Sequence, residues 1–385
     1  MTGPAASRHY LDHASTSPPR PEVVAAVGHW MASGPAADPG RLHHEGRLAR
    51  QALEDARAAV AELVGARPRQ VVLTSGGTEA VNAAVWGAWR ARPDGACVLA
   101  DVEHSSVREA AARLGPVAPL AVDGRGRIEP ASLDEVLDRL AADGRTAGLV
   151  HCQLANHEVG TVQPVTAVAE RCRARRVLLH VDACMATGHV PVALDDLGCD
   201  LLSVSAHKFG GPPGAGALVL RRGLRTEPLL VGGEQERGRR AGLEDLPAAI
   251  GFGAAAAALA GPALGEEAAR LRRHTARLEA AACAVPGVSV LGDRTGALPQ
   301  LLCLVVDGVE AEPVLLGLDQ AGVAVHSGSS CSSESLEPSP VLAAMGADAE
   351  RSLRVSVGWS TTDEDVEAFA AAFPAVVSRL RALRP

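Results

Sequence analysis

The sequence predicts an α/β protein with a largely parallel sheet covered by helices on both faces, followed by a smaller C-terminal α+β domain. Three observations lead there. From about residue 46 onward, short apolar runs alternate with longer stretches of helical periodicity, the rhythm of strand–helix–strand units. Those runs are apolar at successive positions, not at every second one, as strands buried on both faces must be. A length of 385 residues exceeds what one compact core usually holds, so two domains are expected.

The elements follow in order. Residues 47–64 place Leu53, Ala56, Val60, Leu63 and Val64 on one helical face. Val71 to Thr74 reads as a short buried strand, and a helix runs from the glycines after it to about Trp89. Further strands are expected at 97–100, 149–152, 177–181, 201–204 and 217–220, with helices at 133–142 and 165–175 between them. Residues 244–281 are rich in Ala and Leu and predict long helix linking two domains, broken at Gly261-Pro262. Beyond it lie strands near 289–291, 301–306 and 353–357 and helices near 310–321 and 363–383.

Composition narrows the function. Aromatic residues make up only 2 % of the chain, so the core must rest on Ala, Leu and Val, with Trp30, Trp86, Trp89 and Trp359 as rare large fillers. A net charge of −8 gives no basic footprint for nucleic acid. No apolar run approaches the ~20 residues of a membrane span, and residues 1–8 lack the apolar stretch of a signal peptide. A cytoplasmic protein is expected. The eight cysteines form no CxxC pair and do not cluster as metal ligands would, so no metal is expected. Cys97, Cys152 and Cys303 sit in apolar runs as small hydrophobes. Cys331 differs, because its surroundings, Ser327-Gly328-Ser329-Ser330-Cys331-Ser332-Ser333-Glu334, are a small polar tract that cannot bury a thiol.

The chemistry is signalled by a count. Of 37 Lys and Arg residues, Lys208 is the only lysine. Arginine serves wherever a surface cation is wanted, but a guanidinium cannot lose its proton and attack a carbonyl, whereas an amine can. Lys208 ends the run Leu201-Leu202-Ser203-Val204-Ser205-Ala206-His207-Lys208, at the carboxyl end of an apolar strand, where a Schiff-base lysine belongs. Three other strand ends deliver polar groups. Ser75-Gly76-Gly77-Thr78 joins a strand to a helix and can cradle a phosphate on free N–H groups, although Thr78 serves equally well as an ordinary helix cap. Asp182 ends an apolar strand, where a carboxylate can keep a pyridinium nitrogen protonated or can simply cap a turn. His104 is either an exposed loop histidine or a ring that stacks on a cofactor and shuttles protons. Together a phosphate cradle with Ser205 and His207, an Asp, a His and a Lys at strand ends of one domain are the parts of a pyridoxal-phosphate site.

Several longer motifs carry a resemblance. Tyr10-Leu11-Asp12-His13-Ala14-Ser15-Thr16, Thr74-Ser75-Gly76-Gly77-Thr78-Glu79-Ala80-Val81-Asn82 and Glu103-His104 are similar to those of the cysteine desulfurase family. So are Asn156-His157-Glu158-Val159-Gly160, His180-Val181-Asp182-Ala183 and Ser205-Ala206-His207-Lys208. Ser327-Gly328-Ser329-Ser330-Cys331 followed by Leu336-Glu337-Pro338-Ser339 resembles the long cysteine loop of the branch serving nitrogen fixation and iron–sulfur assembly. The likeness runs from Tyr10 to about Thr362.

The resemblance implies a class V aminotransferase-like, fold-type I homodimer whose large domain holds a mostly parallel seven-stranded sheet. Residues 15–260 would form that large domain. Residues 1–14 and 261–385 would form the small one, with the cysteine loop at about 326–340. By position, Lys208 would hold pyridoxal 5′-phosphate, Asp182 would pair with its ring nitrogen and His104 would stack on the ring. Gly77, Thr78, Ser205 and His207 would bind phosphate, Arg354 and His157 would meet the substrate, and Cys331 would take sulfur from L-cysteine as a persulfide. An acceptor protein or a small-molecule pathway enzyme would receive it. Three positions depart from the family pattern: His157 stands for an Asn, Met185 for a Gln expected at the ring oxygen, and Leu243 for a Thr that the partner subunit sends to the phosphate. These departures keep open another reaction of the same cofactor, such as a C–S lyase, a selenocysteine lyase or a biosynthetic enzyme; a non-catalytic scaffold is opposed by the retained Lys208, Asp182 and Cys331.

Overall fold

The computed structural model describes residues 8–327 and 339–383. It opens with a two-residue strand, β1 (His9–Tyr10). The large sheet is built from β2 (Val71–Thr74), β3 (Ala96–Ala100), β4 (Val117–Leu120), β5 (Ala147–His151), β6 (Leu178–Asp182), β7 (Leu201–Ser205) and β8 (Gly216–Leu220). Its order is β2-β8-β7-β6-β5-β3-β4. β8 alone runs antiparallel to its neighbours, and the remaining pairs are parallel. Every residue of β3, β5, β7 and β8 is buried, because helices cover both faces.

The helices form where one face can be buried. His44–Leu63 buries Ala49, Leu53, Ala56 and Val60, spaced three or four apart, together with Arg57, and the His43 side chain accepts the N–H of Gly46 at its start. The helical stretch around residue 260 is broken as expected. Leu246–Ala257 ends before Gly261, whose φ of 59° stops the helix, and Ala263–Cys283 begins after Pro262.

A second, four-stranded antiparallel sheet has the order β12-β13-β10-β9, with β9 (Val288–Leu291), β10 (Leu301–Val306), β12 (His326–Ser327) and β13 (Ser352–Ser356). Between them β11 (Val323–Ala324) pairs in parallel with β1. The helix Asp363–Ala382 closes over this sheet, started by a reciprocal cap between Thr362 and Asp365, and packs Phe369 and Phe373 against Leu302, Leu304 and Leu353 in a core of its own.

Three elements escape the apolar pattern. Pro21–Ser33 buries only Val23, and Ser105–Leu114 is a short helix behind the Glu103-His104 motif. β4 is an edge strand with only Leu120 buried, so its sequence carries no continuous apolar run. The expected large fillers also change identity. All four tryptophans are partly exposed, with Trp86 and Trp359 donating their indole N–H to the carbonyl oxygens of Pro228 and Pro18, whereas the four phenylalanines, Phe209, Phe252, Phe369 and Phe373, are fully buried.

One ion pair lies deep in the large core. Arg57 meets both carboxylate oxygens of Glu236, at 2.5 and 2.7 Å, with each side chain at most 2 % exposed. Glu236 also accepts the N–H of Leu73 on β2 and holds a left-handed φ of 48°. Arg57→Ala should therefore destabilise the protein by about 3–5 kcal/mol, because the Glu236 carboxylate stays buried without its cation; urea unfolding of the two proteins measures the difference.

Candidate active site

The carboxyl ends of the parallel strands deliver their polar residues to one cavity of about 330 Å³. From β2 the chain passes Gly76 into the helix Gly77–Ala91, and Gly77 and Thr78 line the cavity at that helix N-terminus. His104 follows β3, Gln153 and His157 follow β5, Asp182 ends β6, and Ser205 ends β7 with His207 and Lys208 just beyond. Arg354 reaches in from β13, on the second sheet. Each sequence-predicted site residue in the described part of the chain thus lines the same cavity. Cys331 lies outside the described residues.

Lys208 occupies a defined seat. Its Nζ donates to the carbonyl oxygens of Ala14 at 2.8 Å and Ser15 at 3.0 Å. Arg354, 2 % exposed, binds the same segment through Asp12 Oδ1 at 3.0 Å and Ser15 Oγ at 2.7 Å, and donates to the carbonyl oxygen of His157 at 3.0 Å. Among the described residues no acceptor meets the buried Arg354 Nε. A substrate carboxylate would satisfy that donor.

The far end of the cavity suits an anion. Ser205 Oγ lies 2.9 Å from His207 Nδ1, and burial lowers the His207 pKa to about 4, leaving a neutral ring beside the N-terminus of Gly77–Ala91. Gly77 has a steric reason to be glycine: a Cβ there would lie 2.5 Å from Cys184 Sγ and 3.3 Å from Ser205 Cβ. Asp182 Oδ1 accepts the N–H of Cys184 at 3.0 Å, which fixes the carboxylate at the cavity wall. Burial and the Asp182 carboxylate raise the Cys184 thiol well above its usual range, so it remains protonated.

An amine, a fixed carboxylate, a helix N-terminus with a tight glycine cradle, and an orphaned guanidinium donor around one cavity fit a phosphorylated pyridine aldehyde with an amino-acid substrate beside it. Thr78 is not the helix cap, because Gly76 takes that position and leaves the Thr78 side chain for the cavity.

Several residues named along the chain show their part only in the structure. Asp12 and Ser15 stand in the quoted N-terminal motif, but their partnership with Arg354 spans more than 300 residues. Met185 lines the cavity and is 5 % exposed, a thioether where a donor was expected, whereas Leu243 is largely exposed at 63 %. Glu103 is wholly buried. Its Oε1 accepts the N–H of Gln153 at 2.7 Å, and burial, with Asp182 nearby, raises its pKa to about 8. The preference of Glu103 for its neutral form follows from its position under the cavity wall, which a motif read along the chain does not reveal.

Comparison with known proteins agrees with this architecture. The class-V aminotransferase family model matches residues 9–369. A cysteine desulfurase of Cereibacter sphaeroides is 39 % identical over 98 % of both chains. The cysteine desulfurase IscS of Dictyoglomus turgidum is 36 % identical over 98 % of this chain and 96 % of its own. Among solved structures, a NifS-like protein superposes with a TM-score of 0.88 at 27 % identity, covering 97 % of this chain and all of its own. SspA, solved in complex with cysteine, superposes with a TM-score of 0.79 at 26 % identity over 91 % of this chain and 98 % of its own.

Glu103 supplies a pH test. Its folded pKa of about 8 lies above the ordinary 4.5, so the native state holds a proton that the unfolded chain releases between those values. The contribution to stability is complete below the unfolded pKa and is lost as pH rises toward 8. Glu103→Gln removes that loss. The stability of the variant relative to the parent, measured by urea unfolding, should therefore rise between about pH 5 and pH 8.

Proposed function

The chain belongs to the class-V aminotransferase family, and we propose that within it this protein is a pyridoxal-phosphate-dependent cysteine desulfurase that converts L-cysteine to L-alanine and passes the sulfur to Cys331. The observation that carries this reading is the convergence of Lys208, Asp182, His104 and Arg354 on one cavity in a chain whose relatives are named cysteine desulfurases.

Lys208 would hold the cofactor through Nζ, with Asp182 at the ring nitrogen and Gly77, Thr78, Ser205 and His207 around the phosphate. When bound, the cofactor supplies an electron sink for bonds at the substrate α-carbon. The chain's own residues do the rest. Arg354 would orient the substrate carboxylate through Nε, which meets no acceptor among the described residues, and His104, which lines the cavity wall, would exchange protons with the substrate seated there. Lys208 Nζ takes the α-proton once the substrate is seated. The Cys331 sulfur then attacks the substrate sulfur: an S–S bond forms, the C–S bond breaks, and the proton lost by the attacking thiol is matched by the one gained when CH₂ becomes the CH₃ of alanine.

The large domain would span residues 15–260, with residues 1–14 and 261–385 in the small one. A second copy of the chain would be its partner, as the resemblance to the cysteine desulfurase family implies. Among the described residues no helix is long and apolar enough to cross a membrane, which agrees with action in the cytoplasm. The sulfur acceptor would be a protein or a pathway enzyme that collects the persulfide sulfur.

Incubation with L-cysteine should yield alanine and a mass shift of one sulfur on the peptide carrying Cys331. Lys208→Arg keeps the charge but should lose the visible absorbance of bound cofactor and lower turnover by more than ~100-fold. Cys331→Ala should retain cofactor and still bind cysteine, yet form no persulfide. Alanine production that is unchanged in Cys331→Ala would favour the lyase reading, to which Met185 in the cavity wall lends its support.

A further inference from the structure

Lys208 stands in a turn whose carbonyl oxygens are all claimed. Ala206–Phe209 is a single 3₁₀ turn that ends at Gly210, φ 88°, so its last carbonyls find no partners within the turn itself. The segment 17–20 supplies them. The Ser17 N–H donates to the carbonyl oxygen of His207 at 2.9 Å, Arg20 Nε to that of Phe209 and the Arg20 N–H to that of Gly210, both at 2.8 Å. The carbonyl of Lys208 takes two side-chain donors, Ser17 Oγ and His189 Nε2, each at 3.2 Å.

A carbonyl oxygen only accepts, and that fixes the protons behind it. His189 must carry its proton on Nε2, and its buried Nδ1 meets no partner among the described residues. The Ser17 hydroxyl gives its one proton to Lys208, so His13 Nδ1, 3.0 Å from Ser17 Oγ, must donate to it. His13 Nε2 then accepts the hydroxyl proton of Thr361 at 3.2 Å, whose oxygen takes the N–H of Gly358 at 2.9 Å. Hydrogen bonds thus run in one direction, from the turn after β13 through His13 and Ser17 to the lysine. His13, Ser17, His189 and Thr361 are each at most 4 % exposed, and burial lowers both histidines to about 4, so the two opposite tautomers hold at neutral pH.

Two glycines make room for this arrangement. A Cβ on Gly358 would overlap the His13 ring, and one on Gly188, whose φ is 83°, would overlap Phe209, so the chain can turn there and bring His189 to Lys208. At the other end of the residue the Lys208 amine rests on the carbonyls of Ala14 and Ser15. Residues 13–17 therefore grip Lys208 at both ends, with different consequences. The contacts of the amine must break whenever the amine works, whereas those of the carbonyl need not.

We propose that Ser17, oriented by His13, and His189 are positioning residues for Lys208. Their two donors hold its carbonyl, so that only the side chain moves when the amine leaves its seat for the cavity and comes back to it. The inference rests on Lys208 being the amine that holds the cofactor.

The test uses the full chain and two readouts of Lys208. One is the rate at which protein stripped of cofactor with hydroxylamine regains visible absorbance when pyridoxal 5′-phosphate is added; the other is alanine formation from L-cysteine by the loaded protein. Ser17→Ala and His189→Met should each slow the regain by about 3-fold, because the other donor remains. The double variant should slow it by about 50-fold, more than the product of the two, because the carbonyl is then buried with no side-chain donor. The kcat for alanine should fall in the same ratios while KM changes by less than about 2-fold, since Arg354 keeps its partners. His189→Gln, which retains an N–H, should recover most of what His189→Met loses. Nitrogen-15 spectra of the unaltered protein should show His13 protonated on Nδ1 and His189 on Nε2, a result that depends on no variant folding. Either histidine in the opposite tautomer, a double variant equal to the product of its singles, or His189→Gln as slow as His189→Met would overturn the proposal. A parent that makes no alanine would overturn the desulfurase reading and leave the spectra and the regain rates to decide this one; a parent that takes up no cofactor would overturn both.

Discussion

The segment Asp12–Ser15 is the constraint on which the site depends. Its carbonyls seat the Lys208 amine, its Asp12 and Ser15 side chains hold Arg354, and the N–H of Ala14 is tied to Ser356 Oγ at 2.9 Å. Lys208 belongs to the large sheet's strand ends, whereas Arg354 and Ser356 belong to β13 on the other sheet. Four residues of irregular chain thus set the distance between the amine that would hold a cofactor and the guanidinium that would hold its substrate. Arg20 repeats the device nearby, binding both oxygens of Glu267 at 2.7 and 2.9 Å and the carbonyl oxygen of Phe209 at 2.8 Å. Fixing donor and acceptor in this way removes orientational freedom before any substrate arrives.

Much of this was legible along the chain. The interior strands announce themselves because burial on both faces leaves no polar position, and the residues at their ends stand out as the first polar groups after an apolar run. Lys208, Asp182, His104 and Ser205 were readable for that reason. β4 was not, since an edge strand needs little apolar surface. The Arg354–Asp12 and Arg57–Glu236 pairs were hidden too, because an ion pair is a property of two distant positions and neither residue signals the other. Even within a recognised motif, the sequence could not say that Glu103 prefers to be neutral, for that depends on what surrounds it.

Buried polarity in this protein follows two rules. Among the described residues each buried arginine, Arg20, Arg57 and Arg354, is paired with a carboxylate. Histidine enters it uncharged: burial lowers His13 and His189 to about 4 and His151 to about 3. The latter forms a line across the sheet, from His151 Nδ1 to His180 Nδ1 at 2.8 Å and from His180 Nε2 to Ser203 Oγ at 2.7 Å, spanning β5, β6 and β7 just below the strand ends. Neutral rings pair there without importing charge into an apolar sheet, and among the described residues only His151 Nε2 of the line is left without a partner. His157 differs in its neighbour, since its Nε2 lies 3.5 Å from Glu158 Oε1, whose side chain is 1 % exposed.

The seat of Lys208 has a meaning for covalent chemistry at large. Reagents and metabolites that acylate side-chain amines normally distribute over many surface lysines, and most of those marks are silent. Here the described surface offers arginine in every such place, and guanidinium groups resist acylation. The one side-chain amine is partly buried against two carbonyls inside the cavity. Acylation of a side chain in this protein and occupation of its amine by chemistry of its own are therefore mutually exclusive events at a single nitrogen.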